Sequence, residues 1–129
     1  MGVPLPSILP SPEAVPFWDA ARRHKLVLPH CRRCNQVFFY PRTSCPHCGS
    51  RDLDWQRAGG RGVLYTYCIQ FQAADPFVTA IVELDEGPRL MSYLVDVAPR
   101  PDAITCGMAV QVRFVDLPDG HALPVFAPA

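Results

Sequence analysis

Downstream of Gly62 the chain alternates apolar and polar residues with a period of two, the spacing that sends successive side chains of a strand to opposite faces. Val63, Tyr65, Tyr67, Ile69 and Phe71 fall on one such face, with Leu64, Thr66, Cys68 and Gln70 on the other. A loop, Gln-Ala-Ala-Asp-Pro, leads to a second strand from Phe77 to Leu84 that aligns Val78, Ala80, Val82 and Leu84. The turn Asp85-Glu86-Gly87-Pro88 leads to a third, Leu90 to Val97, aligning Met91, Tyr93, Val95 and Val97. An irregular connection from Ala98 to Gly107, with room for one helical turn near Asp102, precedes Val110, Val112 and Phe114. Pro118-Asp119-Gly120 then reverses the chain into a fifth strand, Leu123 to Phe126. A three-stranded meander, a crossover and a hairpin have the strand count and order of a small Greek-key barrel of the OB type.

Upstream the pattern changes. Residues 1 to about 14 are rich in proline and predict an extended arm. Pro16 suits a first helical position, and Phe17, Trp18, Ala20, Ala21 and His24 recur at near-helical spacing, predicting one short helix to about Lys25. Leu26 to Leu28 reads as a short strand, Val37 to Tyr40 as a β-prone run closed by Pro41, and Leu53, Trp55 and Arg57 as one face of another strand. Gly59, Gly60 and Gly62 mark a bend. They lack the strand-turn-helix setting of a phosphate-binding loop.

Between these two regions lie four cysteines in two pairs, Cys31 with Cys34 and Cys45 with Cys48. Two Cys-x-x-Cys turns facing one another supply the four soft ligands of a tetrahedral zinc ion. Asn35 and Gly49 directly follow the second cysteine of each pair, where such a turn needs a residue that tolerates left-handed backbone. Four sulfur ligands close the coordination sphere, so the predicted zinc is structural and leaves no position for substrate. A ribbon of some thirty residues is smaller than the roughly 40 at which a core alone suffices, so the metal must supply its stability. A redox Cys-x-x-Cys or a pair of disulfides are the competing readings. Redox pairs sit singly on a strand-to-helix turn, and no helical pattern follows Cys34 or Cys48.

Composition narrows the function. Among 129 residues, Lys+Arg equals Asp+Glu at 12 each, which counts against a dedicated nucleic-acid binder, whose affinity comes largely from neutralising phosphates. No apolar run approaches the roughly 18 residues that span a bilayer, and no export signal is legible, so no membrane association is expected. Six cysteines, four of them at metal spacing, fit a reducing cytoplasm better than a secreted scaffold. No nucleophile and base stand together: Cys106 and His121 both flank the last hairpin, but no third group in the pattern orients them. His30 and His47 lie beside the cysteine pairs, where donation to thiolates or exposure to solvent is expected. Arg32, Arg33 and Arg42 cluster on the ribbon, with Arg22, Arg23 and Lys25 on the preceding helix. They form either a solvated basic face or a site for phosphate oxygens. Tyr65, Phe71 and Phe77 are core aromatics or the lining of an acyl channel or subunit surface.

The order FW, LPHCRRC, FFYPRTSCPHCGS, GRGVLYTYCIQF, PFVTAIVELDEGPRLMSYLV, CGMAVQVRF and LPVF resembles, from Phe17 onward, the acyl-CoA-associated family long labelled domain of unknown function 35. The cysteine spacing alone is shared by many ribbons. The Pro-Arg before the third cysteine, the glycine and tyrosine pattern opening the barrel, the Glu-Leu-Asp-Glu-Gly-Pro turn and the Gly-Met-x-Val-x-Val hairpin make the likeness specific. Cys68 departs from it mildly, standing where a β-branched or hydroxyl residue is expected. The resemblance implies a mainly β chain: an N-terminal arm and helix over 1–28, a rubredoxin-like zinc ribbon over 29–58 and a five-stranded OB-fold over 59–129. It carries over Cys31, Cys34, Cys45 and Cys48 as zinc ligands. It further implies a non-catalytic accessory subunit that assembles with a thiolase-superfamily enzyme, of steroid side-chain aldolase, thiolase/synthase or acyltransferase type, and helps bind or channel an acyl-CoA thioester. On that reading Arg32, Arg33, Arg42, Tyr65, Phe71 and Phe77 are candidate acyl-CoA or partner contacts. The alternative is a single-stranded nucleic-acid module, since ribbons and OB barrels both serve that role.

Overall fold

The computed structural model describes residues 3–129. A 3-10 turn at Pro12–Ala14 runs into helix α1, Val15–Arg22, which buries Phe17, Ala20 and Ala21, positions three and four apart on one face. Sequence reading carries this helix to Lys25, but it ends three residues sooner. His24 takes a left-handed φ of 57°, and the amides of His24 and Lys25 turn back onto the carbonyls of Ala21 and Ala20. This is a Schellman-type stop with histidine where glycine is usual.

Strands β1, Val27–Cys31, and β2, Leu53–Arg57, pair antiparallel in a two-stranded sheet, so the first cysteine is the last residue of β1. The run from Val37 to Tyr40, expected as a strand, contributes a single bridge, Val37 to His30. Two backbone bonds flank that bridge, from Cys31 N–H to the Gln36 carbonyl and from Phe38 N–H to the Pro29 carbonyl.

Five further strands close the barrel: β3 Arg61–Gln70, β4 Phe77–Leu84, β5 Arg89–Leu94, β6 Ala109–Asp116 and β7 Ala122–Pro128. Their spatial order is β3-β4-β5-β7-β6, with β6 returning to β3, as the Greek-key reading requires. A 3-10 turn at Pro101–Ala103 occupies the crossover near Asp102. The barrel closes through two short contacts: β3 meets β6 over three residue pairs, and β5 meets β7 in parallel through Leu94 and Phe126. A side chain on Gly60 would run into Val112 of β6, and one on Gly62, in β3, into the Glu83 carbonyl oxygen of the neighbouring β4. Glycine is therefore required where the strands approach most closely.

Phase within the strands follows burial. On β4 the alternation is as expected, with Val78, Ala80, Val82 and Leu84 all inward. On β3 a bulge places Tyr65 between Leu64, opposite Val82, and Thr66, opposite Ile81. Leu64 is inward before the bulge and Tyr67 and Ile69 pack on the core after it, so the single face drawn from Val63 to Phe71 is broken in the middle. On β5 the core takes Leu90 and Leu94, while Met91 is 77% exposed.

Phe126, Leu64, Val78, Val82 and Val110 fill the barrel. Phe17 of α1 and Leu26 and Leu28 at the foot of the ribbon belong to the same continuous cluster. The N-terminal arm also lies on the barrel: Val3 packs on Val95, Val125 and Ala127, and the Ile8 amide donates to Asp119 Oδ2 at 3.2 Å.

Candidate metal centre and exposed aromatic face

The two cysteine turns repeat one backbone scheme. Asn35 N–H donates to the Cys31 carbonyl at 2.8 Å and Gly49 N–H to that of Cys45 at 2.9 Å. Cys31 N–H donates to the Gln36 carbonyl and Cys45 N–H to that of Ser50, both at 2.8 Å. Asn35 and Gly49 adopt φ of 60° and 79°, the left-handed backbone expected of them. Each turn also aims an amide at sulfur: Cys34 N–H at Cys31 Sγ, 3.5 Å, and His47 N–H at Cys45 Sγ, 3.3 Å.

The four sulfurs converge. Cys31 and Cys48 are 3.6 Å apart, as are Cys34 and Cys45, and all four lie within 4.8 Å of one another. A tetrahedral zinc ion with Zn–S bonds of about 2.3 Å has sulfur-to-sulfur edges of about 3.8 Å, so the spacing fits the ion and is far too long for a disulfide. The Cys34 amide, with that of Arg33, draws the Cys31 thiol down to about 6, while burial pushes the Cys34 thiol upward. Four thiolates this close repel one another unless a cation lies among them. The donor set therefore fits a structural zinc that Cys31, Cys34, Cys45 and Cys48 would hold. The thioether-free, all-thiolate shell leaves no vertex for chemistry.

His30 departs from expectation. Instead of reaching a thiolate, its Nδ1–H donates to Asp54 Oδ1 and its Nε2–H to Asn35 Oδ1, both at 2.7 Å. Those bonds, Asn35 first and Asp54 second, raise its pKa above the ordinary value. His47 is exposed and takes part only through its backbone. Cys68 and Cys106 lie exposed and outside the sulfur cluster. The polar contacts of His121 are with Arg22 and Asp119, which dissolves the tentative Cys106 and His121 pairing.

The six candidate contact residues divide into three groups. Arg32 is occupied: its Nε donates to Asp52 Oδ1 at 2.9 Å and its Nη2 to the Leu53 carbonyl. Arg33 and Arg42 are exposed and make no ion pair among the described residues. Arg42 borders a cleft of about 320 Å³ between ribbon and barrel, shared with Phe39, His47, Glu86, Pro88 and Arg89. Tyr65, 48% exposed, lies under the guanidinium of Arg89, 3.8 Å from the ring centre, and Arg89 also donates to Glu83. Phe71 is 63% exposed and Phe77 packs edge-on to Tyr93.

Register explains why these residues share a surface. On the outer side of the meander, Thr66 lies opposite Ile81 and Ile81 opposite Met91; Cys68 lies opposite Thr79 and Thr79 opposite Tyr93. Tyr65, Ile81, Met91, Tyr93 and Phe77 thus form an apolar stripe across β3, β4 and β5. Ile81, Met91 and Tyr93 are the members absent from the sequence-based contact candidates. The alignment of Met91 with Tyr93 on one face holds, but in Arg-Leu-Met-Ser-Tyr-Leu both faces are apolar and neither is marked as the outer one.

A closed four-sulfur ribbon feeding a five-stranded OB barrel defines the class of protein: a two-part zinc-ribbon and OB-fold chain. Residues 18–54 match the family model described as ChsH2, rubredoxin-like zinc ribbon domain, and residues 55–115 the one described as ChsH2, C-terminal OB-fold domain. The chain belongs to the DUF35 family. A "DUF35 domain-containing scaffold protein" of Methanothermobacter thermautotrophicus is 34% identical, with 79% of this chain and 81% of that protein covered. A "Probable enoyl-CoA hydratase alpha subunit" of Thermomonospora curvata is 40% identical over 88% of this chain, which spans only 37% of that protein's length. The solved structure "Ltp2-ChsH2(DUF35) aldolase" superposes with a TM-score of 0.82 at 36% identity, covering 96% of this chain and 98% of the matched one.

Proposed function

We propose that the protein is a non-catalytic scaffold subunit that docks on a thiolase-superfamily enzyme and helps hold or pass its acyl-CoA thioester in the cytoplasm. The observation that carries this reading is the apolar stripe on the outer face of the meander, with Tyr65 and Met91 open to solvent and exposed Phe71 just beyond the end of β3, on a chain of zero formal net charge. Exposed apolar patches of this kind mark sites where another protein sits. The sulfur site supports it from the other side, because a filled tetrahedron gives the chain structure and no reactive position. Relatives named as a scaffold, as a hydratase alpha subunit and as part of an aldolase assembly point the same way. For the thioester, of the three candidate arginines Arg33 and Arg42 form no ion pair among the described residues, and Arg42 stands at the cleft beside Arg89. Arg32, tied to Asp52, plays a structural part.

Co-expression with a thiolase-superfamily partner is expected to give a heteromer that survives gel filtration and turns over acyl-CoA, while the isolated chain is inert. Met91→Glu together with Tyr65→Glu abolishes co-elution and leaves the fold unchanged. Turnover by the chain alone, or a double variant that still co-elutes, overturns the reading. The nucleic-acid alternative draws no support from the net charge, which is zero, and two of the barrel's arginines, Arg89 and Arg113, are paired with Glu83 and Asp96.

A further inference from the structure

We infer that the two cysteine turns, alike in backbone, hold the metal unequally: the first is a braced half-site fixed through His30, and the second is the half that opens when the ion leaves. The likeness of the turns makes the comparison clean, since both have the same two internal backbone hydrogen bonds and one amide aimed at sulfur.

What differs is the side chains around them. His30 bridges Asn35, at the tip of the first turn, to Asp54 on β2, with 2.7 Å to each. Arg32, between the two cysteines of that turn, reaches Asp52 through its side chain and donates its backbone N–H to the Asp52 carbonyl at 3.0 Å. Phe38 N–H returns to the Pro29 carbonyl at 3.1 Å. Cys31 is itself a residue of β1, paired with Leu53. Four separate ties therefore join the first turn to the two-stranded sheet.

The second turn has a single local counterpart, Ser50 Oγ, which accepts from the Asp52 amide at 3.1 Å. Among the described residues, no side chain from Pro46 to Gly49 forms a hydrogen bond or ion pair, apart from the sulfur contact of Cys48 with Cys31. Gly49 stands in open space, with no heavy atom beyond its chain neighbours within 4 Å of where a Cβ would be, and Cys48 is exposed whereas its counterpart Cys34 is half-buried. Groups that orient metal ligands without touching the metal typically govern affinity by about 10- to 100-fold. Here the first half of the ligand set has several of them, reaching across to β2, and the second only the local bond of Ser50 to Asp52. His30 is thus a positioning residue: it acts on the centre through Asn35 and Asp54. The second turn also lines the ribbon-to-barrel cleft through Pro46 and His47, so its opening changes that cleft first.

The test compares Cys31 with Cys45, which are equally buried, at 0% and 2%, so that access alone does not separate them. The zinc-loaded full chain is held with a chelator and N-ethylmaleimide, and each cysteine's labelling is followed by peptide mass spectrometry while zinc release is read with a chromogenic chelator. Cys45 is expected to label several-fold faster than Cys31. Asn35→Gly keeps the left-handed turn but deletes the acceptor for His30. It is expected to release zinc about tenfold faster and to bring Cys31 labelling level with Cys45. If Cys31 and Cys45 label together in the unaltered chain, or if Asn35→Gly releases zinc at the unaltered rate, the inference falls. Should Asn35→Gly fail to load zinc, the labelling order of the unaltered chain still decides. Neither readout depends on a partner enzyme, so the docking proposal stands or falls separately.

Discussion

His24, Asn35 and Asp96 are non-glycine residues with left-handed backbone, and each lies where the chain leaves a regular element or turn. Asn35 was legible beforehand because the two-residue cysteine spacing dictates a tight turn. The partner of His30 was not, because Asp54 lies 24 residues away and only the pairing of β1 with β2 brings it near. Asp119 is a second residue whose role depends on distant chain. Its carboxylate accepts from the His121 amide and from Ile8 of the arm, and these bonds, the first foremost, hold its pKa below the ordinary carboxylate value. A lowered acid contributes stability that is present above the unfolded pKa, about 3.9, and lost as pH falls through the folded one. Urea midpoints of the native chain and of Asp119→Asn are therefore expected to differ most above pH about 4 and to converge below it. Acid loss of zinc affects both alike and cancels in the difference. A constant gap across that range contradicts the assignment.

At the scale of elements, the sequence was most informative where polar residues marked one face of a strand, as Thr79 and Glu83 do on β4 although Phe77 and Ile81 share that face. β4 reads inward at Val78, Ala80, Val82 and Leu84 because Thr79 and Glu83 separate them. Two other strands misled for distinct reasons. In β3 the extra residue at Tyr65 shifts the alternation, and nothing in a run of β-prone residues announces a bulge. In β5 both faces carry apolar side chains, one for the barrel and one for the outer stripe, so periodicity has no contrast to register. Adjacent residues of β5 test the assignment. Leu90→Ala is expected to cost about 3 kcal/mol in chemical denaturation, since it empties a buried site. Met91→Lys should stay within about 0.5 kcal/mol. The reverse ranking would mean that the strand is turned over.

For the whole molecule, the question is whether ribbon and barrel melt together. Leu28, fully buried, sits on β1 only three residues before the ligand Cys31, and with Leu26 and Phe17 it packs into the cluster that contains Leu64, Val82 and Phe126. Freeing the sulfurs removes the constraint on β1 and β2, and β1 cannot fray without withdrawing Leu28 from that shared cluster. The metal therefore acts on the barrel through apolar contacts and not only on the ribbon. A ligand bound to the native state alone stabilises it by about 2.7 kcal/mol at 100 times its dissociation constant. Calorimetry against buffered free zinc is thus expected to show one transition whose midpoint climbs with free zinc, and chelation to move the whole transition down. A barrel transition that keeps its temperature while only a small ribbon component vanishes would show that the core shared by the two parts does not couple them.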